Sequence, residues 1–172
     1  MSILELEELY AQRCIGGDAG IHELLPTLRD FAARAESVVE FGSYTGNSTV
    51  ALLCGLPRTM TSVDIAKRQA NVDLEQIIPT EIEYRFLEAD DRQIDIEPTD
   101  LLFIDTEHTY EQLHAELERH ADKVKRWIVM HDTVTFGDQL NPAITEFLAA
   151  HPGWWEILRL ENCNGLTVLE RK

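Results

Sequence analysis

The amino-acid sequence predicts an α/β fold, with a doubly wound and mostly parallel sheet of seven strands, two N-terminal helices and a C-terminal antiparallel hairpin. Five short strand-like segments alternate with segments of helical periodicity. The fourth strand, residues 100–105, is an unbroken apolar run, which is typical of a strand buried on both faces. The last two strand-like segments flank Asn164-Gly165, a pair that favours a tight turn between antiparallel strands.

The elements follow from the spacing of apolar residues. Helical spacing predicts helices over residues 3–14 and 21–35, with Gly16, Gly17 and Gly20 between them. Strands are predicted at residues 38–42, 59–64, 84–88, 100–105, 127–131, 154–160 and 166–170. Further helices are predicted at residues 48–54, 66–77, 110–124 and 141–150. The second of these stops before Pro79, and the last has Pro142 in its first turn.

Length and composition predict one domain. A chain of 172 residues, 44% of them hydrophobic, can bury a core without disulfide or metal support. We expect the two helices in residues 1–36 and the sheet in residues 37–172. Cys14, Cys54 and Cys163 match neither a disulfide framework nor a zinc-binding spacing. Free thiols of this kind are typical of a reducing cytoplasm.

The charge and the apolar pattern of the chain argue against two classes of partner. A formal net charge of −16, from 15 basic and 31 acidic residues, argues against binding nucleic acid, which relies on clustered Lys and Arg. No apolar run approaches the length of a membrane span, and the N-terminus carries acid where a signal peptide needs base. We therefore expect a cytoplasmic protein that contacts neither nucleic acid nor membrane.

Residues 38–48 carry the clearest functional signal. They read Val-Val-Glu-Phe-Gly-Ser-Tyr-Thr-Gly-Asn-Ser, a strand that runs into two glycines at the start of a helix. Gly42 and Gly46 let the backbone approach a ligand closely, and the helix start offers N–H groups and the positive end of its dipole. The pattern lacks the third glycine of the dinucleotide fingerprint. This turn therefore favours S-adenosylmethionine (SAM), with NAD as a remote alternative.

Carboxylates cluster at the ends of the predicted strands. Glu40, Asp64, Asp90, Asp105 and Asp132 each stand at or just after a strand end. In doubly wound sheets, ligands bind outside the carboxyl ends of the strands, near the point where strand order reverses. So many acids at one edge repel one another unless a cation or a hydroxyl-rich ligand compensates. We expect a ligand of that kind at this edge.

These segments together resemble class I SAM-dependent methyltransferases, which have a Rossmann-like fold. The resemblance rests on the glycine turn, Ser-Val-Asp at the second strand, Phe-Ile-Asp-Thr-Glu-His at the fourth and Ile-Val-Met-His-Asp-Thr at the fifth. The chain is similar in particular to metal-dependent O-methyltransferases: catechol O-methyltransferase, the macrolide-sugar O-methyltransferases and the cephalosporin-hydroxylase-like proteins. The resemblance covers roughly residues 36–172.

The resemblance implies SAM as the cofactor and assigns residues to it. Glu40 would face the amino group of the methionine moiety, and Ser48 would help to hold the carboxylate. Asp64 would accept both ribose hydroxyls, and Asp90, with Asp91, would lie near the adenine. The predicted cofactor-binding residues are Glu40, Gly42, Ser43, Tyr44, Gly46, Ser48, Asp64, Ile65, Asp90, Asp91 and Asp105.

A divalent metal is also implied, with Asp105, His131 and Asp132 as ligands. Asp105 and Asp132 follow strands predicted to be neighbours, ~5 Å apart, so both carboxylates can reach one ion. Two carboxylates with water and substrate oxygens suit Mg²⁺. His131 departs from relatives that carry an acid or another oxygen ligand there. An imidazole ligand would favour Mn²⁺, Fe²⁺ or Zn²⁺, whereas an imidazole pointing away would leave two ligands.

His108, three residues after Asp105, is the predicted general base. An imidazole with an ordinary pKa near 6.5 suits proton abstraction from a hydroxyl at neutral pH. The predicted reaction is methyl transfer from SAM to that hydroxyl, with the protein mainly positioning the two reactants.

Each assignment has an alternative. Asp105 could cap the helix that begins near Thr109, Asp132 could be a turn residue, and His108 could be solvated. Phe136 and Asp138 could line the acceptor pocket or only pack. The function could also be metal-independent methyl transfer, to a nitrogen or a protein side chain, or SAM binding without catalysis.

The acceptor is predicted only by class. Sugars, catechols and other vicinal diols fit a metal that contacts two adjacent oxygens, and we favour a sugar hydroxyl. Few residues lie outside the sheet, so we expect an acceptor pocket that is open or is completed by a second copy of the chain.

Overall fold

The computed structural model describes residues 3–16 and 20–172. Two helices, α1 (Ile3–Gly16) and α2 (Leu25–Ala32), come first, and a 3₁₀ turn at His22–Leu24 precedes α2. Gly17, predicted to separate them, lies outside the described residues. The remaining elements are β1 (Ser37–Phe41), α3 (Asn47–Cys54), β2 (Thr59–Asp64), α4 (Gln69–Glu75), β3 (Glu83–Glu88), β4 (Thr99–Ile104), α5 (Tyr110–His120), β5 (Val124–His131), α6 (Gly137–Ala150), β6 (Trp154–Leu160) and β7 (Leu166–Arg171).

The seven strands form one mixed sheet in the order β3-β2-β1-β4-β5-β7-β6. Strands β1 to β5 pair in parallel, and β7 pairs antiparallel with both β5 and β6. The predicted fold class is therefore confirmed, including the antiparallel pair at the C-terminal end. Strand order reverses between β1 and β4, which is where doubly wound sheets bind ligands.

The strand register brings the predicted site residues to one edge. Phe41 pairs with Val63 of β2 and with Ile104 of β4, and Ile104 pairs with Met130 of β5. The residues that follow these four in the chain are consequently level with one another across the sheet. They are Gly42, Asp64, Asp105 and His131.

The core lies on both faces of the sheet. Leu101 and Phe103 pack with α1, α2 and α3, whereas Leu102 and Ile104 pack with α5 and α6. Successive side chains of a strand point to opposite faces, so a strand covered by helices on both sides must be apolar at every position. This explains the unbroken apolar run of β4.

Several predicted helix boundaries are wrong. Helix α2 spans Leu25–Ala32 against the predicted 21–35, and α4 spans Gln69–Glu75 against the predicted 66–77. Helix α5 ends at His120 rather than Val124, because a 3₁₀ turn at residues 121–123 leads directly into β5. Helix α6 begins at Gly137, so Pro142 lies inside it instead of in its first turn. The extra turn buries Leu140 beside Ile144 and Phe147, which are at helical spacing from it.

Among the described residues, no helix combines the length and the apolar character that crossing a membrane requires.

Candidate functional site

The turn between β1 and α3 is built on two left-handed glycines. Gly42 and Gly46 both have φ of +80°. A Cβ atom on Gly42 would lie 1.9 Å from the backbone oxygen of Asp105. The Gly42 N–H donates to Val63, and the Asp105 N–H donates to Phe41. Because Gly42 has no side chain, the backbone segments that follow β1 and β4 can lie in direct contact as they enter the site.

Asp64 organises this turn from the end of β2. Its Oδ2 accepts hydrogen bonds from the N–H groups of Ser43 and Tyr44, at 3.1 and 2.9 Å. Its Oδ1 accepts from the N–H of Ala66 at 3.0 Å and from Nη1 of Arg68 at 3.2 Å. The carboxylate is thus already bonded on both oxygens. Its side chain is 8% exposed.

The Glu40 side chain is directed into the protein, and its predicted contact with the methionine amino group stays a prediction. Its side chain is fully buried, and its carboxylate accepts hydrogen bonds from Ser48 at 2.6 Å, Thr49 at 2.8 Å and Ser62 at 2.6 Å. Burial raises the pKa of Glu40 to about 7, although the three hydroxyls oppose this shift. The carboxylate turns inward because these hydroxyls are the donors that surround it. Ser48, one of these three donors, also lines a cavity.

One cavity of about 280 Å³, which we name the β2-side cavity, lies beside Asp64. The predicted residues Gly42, Tyr44, Ile65, Asp90, Asp91 and Asp105 also line it. Sequence reasoning missed its other lining residues, namely Arg68, Arg92, Thr106, Glu107 and Gln112.

Asp90 and Asp91 are held differently in this cavity. Asp90 accepts hydrogen bonds from the side chains of Arg92 and Gln93, and the Arg92 bond lowers its pKa. Asp91 is buried, accepts from Gln112 at 2.9 Å and lies beside Glu116, and its burial raises its pKa. Burial and the nearby Asp91 also raise the pKa of Glu116 to about 8.

A second cavity of about 330 Å³, which we name the β5-side cavity, adjoins the first. Gly42, Tyr44, Asp105 and Thr106 line both cavities, so the two meet over the glycine turn. The predicted residues Ser43, Ser48, His108, His131 and Asp132 line the β5-side cavity. Its lining also includes Gly20, Ile21, Thr45, Asn47 and Asn164, which sequence reasoning did not assign.

His131 is held in one orientation by two remote segments. Its Nε2 lies 3.0 Å from the carbonyl oxygens of both Gly20 and Cys163. Because carbonyls only accept hydrogen bonds, Nε2 carries the proton, and a neutral ring then presents a lone pair at Nδ1. That Nδ1 lies 3.3 Å from Asp105 Oδ2 and 3.4 Å from Asp132 Oδ2. Three electron-rich atoms therefore face one another.

This cluster fits a cation. The Nδ1 of His131 and Oδ1 of Asp132 are buried and have no hydrogen-bond partner among the described residues. One ligand atom from each of Asp105, His131 and Asp132 lies within 4.8 Å of the others, as shared coordination of a metal requires. Burial opposes charge on His131, but the two carboxylates prevail and raise its pKa to about 10.

His108 joins the same cluster. Its Nε2 lies 2.6 Å from Asp132 Oδ2 and 3.5 Å from Asp105 Oδ1. Hydrogen bonds to Asp105 and Asp132 raise the pKa of His108 to about 9, and the two histidines lower the pKa of Asp132 despite its burial. The ring stacks on Phe136, with centroids 4.4 Å apart.

The structure also answers three of the alternatives. Thr109, rather than Asp105, caps α5, since its hydroxyl accepts the N–H of Gln112 at 3.3 Å. Phe136 packs on His108, whereas Asp138 lines a separate surface groove. Asp132 does occupy a strained turn, with φ of +60°, but its carboxylate still belongs to the cluster.

Strand order, glycine turn and paired cavities are those of an α/β protein that binds a nucleoside-containing cofactor. The comparison with known families gives the class: residues 39–133, more than half of the chain, match the family described as a methyltransferase domain. The chain belongs to this family. The predicted membership of the class I SAM-dependent methyltransferases is confirmed. No curated protein matches the sequence significantly.

Solved structures with the same fold include several methyltransferases. An O-methyltransferase from Bacillus cereus, in complex with S-adenosylhomocysteine (SAH), is 18% identical, with a TM-score of 0.62 over 99% of this chain and 90% of that one. The 1,6-didemethyltoxoflavin-N1-methyltransferase from Burkholderia thailandensis is 14% identical, with a TM-score of 0.68 over 99% and 88%. The magnesium protoporphyrin IX methyltransferase from Synechocystis is 12% identical, with a TM-score of 0.70 over 96% and 91%. At these identities the likeness shows the fold alone.

Proposed function

We propose that the protein transfers a methyl group from SAM to a hydroxyl of a small molecule, such as a sugar or another vicinal diol, with help from a divalent metal. One observation carries the proposal. The cluster of Asp105, His131 and Asp132, with two unpartnered buried atoms, lines a cavity that meets the β2-side cavity over the glycine turn.

The β2-side cavity suits the nucleoside half of SAM. Ile65 is 74% exposed at its wall and offers an apolar surface to an adenine ring, while Asp64 offers a carboxylate to the ribose. The methionine half would then extend past Gly42 into the β5-side cavity, where Ser48 is held by Glu40. The SAH-bound and SAM-bound structures of the same fold support this choice of cofactor.

Asp105, Asp132 and Nδ1 of His131 would hold the metal. A divalent cation there supplies positive charge that favours ionisation of a nearby hydroxyl. Because one ligand is an imidazole nitrogen, Mn²⁺, Fe²⁺ or Zn²⁺ fits this set better than Mg²⁺ does. The same charge offsets the repulsion between the two carboxylates.

His108 would accept the acceptor proton. Its pKa of about 9 arises from the two carboxylates, so a dication that neutralises them would return it toward the neutral range. Phe136 keeps the ring in place by stacking. The residues of the turn would align the methyl group with the acceptor oxygen, and this positioning supplies most of the rate gain.

A second candidate is metal-independent transfer. The 2.6 Å contact between His108 Nε2 and Asp132 favours it, because a carboxylate that orients an imidazole is a common way to build a base. In that case the protons on His108 and His131 would take the place of the metal.

We further propose that the acceptor is small and not a nucleic acid, given the net charge of −16. Tyr44 lines the β5-side cavity and Phe136 stacks on its lining residue His108, and both side chains are exposed, so we place them at the mouth of this cavity. A second copy of the chain could cover this mouth, and sedimentation would test that arrangement.

Calorimetry and a transfer assay test the proposal together. Chelator-treated protein is titrated with SAH, and methyl transfer from labelled SAM to a set of sugars and catechols is then measured with and without Mn²⁺. We expect SAH binding, and transfer only when Mn²⁺ is present. Asp132→Asn should abolish the Mn²⁺-dependent methyl transfer. Asp138→Asn, the same change outside the cluster, should retain this transfer. Equal transfer in chelator would favour the metal-independent candidate, and SAH binding without transfer to any acceptor would favour a non-catalytic protein.

A further inference from the structure

We infer that Arg68 competes with the ribose of the cofactor for the carboxylate of Asp64. Its guanidinium donates to the position on Asp64 that the ribose hydroxyls need, and this competition sets the affinity for the cofactor. This inference rests on the proposed function, since it assumes that the β2-side cavity takes the nucleoside of SAM. It adds a determinant of binding at a residue that the sequence analysis did not assign.

The hydrogen bonds of Asp64 leave little room for another donor. A carboxylate offers about four lone-pair positions. Backbone N–H groups of Ser43, Tyr44 and Ala66 take three of them, and Nη1 of Arg68 contacts both oxygens, at 3.2 and 3.3 Å. Ser43 Oγ adds a longer contact, at 3.4 Å. A ribose that binds Asp64 must therefore displace one of these donors.

Arg68 is the donor that can leave. The N–H groups of Ser43 and Tyr44 belong to the backbone of the glycine turn, and that of Ala66 belongs to the backbone of the loop after β2. Arg68 reaches Asp64 through a flexible side chain that is 37% exposed, and its own backbone is held separately by Asn71. Moving its guanidinium leaves the backbone of the turn unchanged.

The location of Arg68 also fits competition. Arg68 lines the β2-side cavity together with Asp64 and Ile65, so it stands where the nucleoside would enter. Its guanidinium lies 4.6 Å above the Tyr44 ring and donates to the Ala66 carbonyl at 3.2 Å. These contacts hold the Arg68 side chain over Asp64. Cofactor binding must break these contacts of Arg68. The apparent affinity for the cofactor is therefore the intrinsic affinity multiplied by the fraction of molecules in which the contacts are already broken.

The test is calorimetric titration of SAH into the full chain carrying Arg68→Met, which retains an apolar side chain over Tyr44. Because an exposed ion pair is weak, we expect SAH to bind about two- to fivefold more tightly than to the unaltered protein. Lys67→Met removes the same charge from the adjacent residue, which pairs with Glu75, and should leave the affinity unchanged. Arg92→Met removes a charge from the same cavity and corrects for any general effect of charge.

A second ligand isolates the ribose. The 2′,3′-dideoxy analogue of SAH does not need the Asp64 carboxylate, so Arg68→Met should not improve its binding. Unchanged or weaker SAH binding by Arg68→Met, with thermal unfolding that shows an intact fold, would overturn the inference, as would an equal gain for both ligands. Absence of SAH binding by the unaltered protein would remove the proposed function and the inference together. Normal SAH binding without the gain would remove the inference alone.

Discussion

The Nε2 atom of His108 lies 2.6 Å from Oδ2 of Asp132. The predicted base and a predicted metal ligand are therefore one ion pair, and a metal and a proton would compete for the same carboxylate. Asp105 and His131 complete this arrangement within a few ångströms. The carboxylate of Asp132 therefore links three properties: the binding of a cation, the protonation state of the two histidines, and catalysis.

His108→Ala should reduce methyl transfer and leave cofactor binding intact. Loss of a positioned proton acceptor costs roughly 10²–10⁴-fold in turnover. We expect the SAH affinity from calorimetry to be unchanged, since the proposed nucleoside contacts lie in the other cavity. His114→Ala, which changes a half-buried histidine of α5 outside the cluster, is the matched control and should retain full turnover. Equal turnover in both variants would remove His108 from the mechanism.

His131→Gln should weaken metal binding. Changes to residues that merely support a metal ligand cost about 10–100-fold in affinity, so loss of the ligand itself should cost at least that much. The titration of Mn²⁺, followed by its electron paramagnetic resonance signal, measures the effect without any need for turnover. His151→Gln, which lies outside the cluster, serves as the control. Full Mn²⁺ affinity in His131→Gln would show that the imidazole is not a ligand.

Gly42→Ala should destabilise the fold. Its Cβ would lie 1.9 Å from the Asp105 carbonyl oxygen, and its φ of +80° disfavours any side chain. Strain of this kind costs about 1–3 kcal/mol, before the displacement of Asp105 is counted. Gly153→Ala, which would contact nothing within 4 Å, should change the free energy of unfolding by less than about 0.5 kcal/mol. Equal urea midpoints for the two variants would contradict the close approach of β1 and β4.

Glu40 should make stability fall as pH rises toward neutrality. The pKa of Glu40 in the folded protein is about 7, above its ordinary value of 4.5, so between these values the folded state holds a proton that the unfolded state has lost. The resulting stabilisation is complete below pH 4.5 and is lost as the pH rises through 7. Its full size is roughly 3 kcal/mol, since a difference of one pKa unit corresponds to about 1.4 kcal/mol.

Glu40→Gln removes this titration. The difference in unfolding free energy between the variant and the unaltered protein, measured from pH 5 to pH 8, should therefore shift in favour of the variant as pH rises. Both proteins keep the histidine cluster, so its own titration cancels in the comparison. A pH-independent difference would show that Glu40 titrates normally.

Several features were predictable from local sequence. Alternating apolar periods specify strands and helices, and the glycines at 42 and 46 specify a turn that no other residue adopts easily. Because parallel strands end at one edge, Asp64, Asp105 and Asp132 had to lie near one another once the order of elements was known. The helix ends were less predictable, since the burial of Leu140 extended α6 beyond its proline.

The sequence by itself determined the layers of the fold, the turn after β1 and the family of the protein, because these depend on the period and spacing of residues close in the chain. Only the tertiary structure decided which way the polar side chains turn. Glu40 faces inward because Ser48, Thr49 and Ser62 surround it, and the proton on His131 is set by carbonyls 111 and 32 residues away. A carboxylate or an imidazole adopts the orientation that satisfies its hydrogen bonds, and most of its partners are brought to it by the fold.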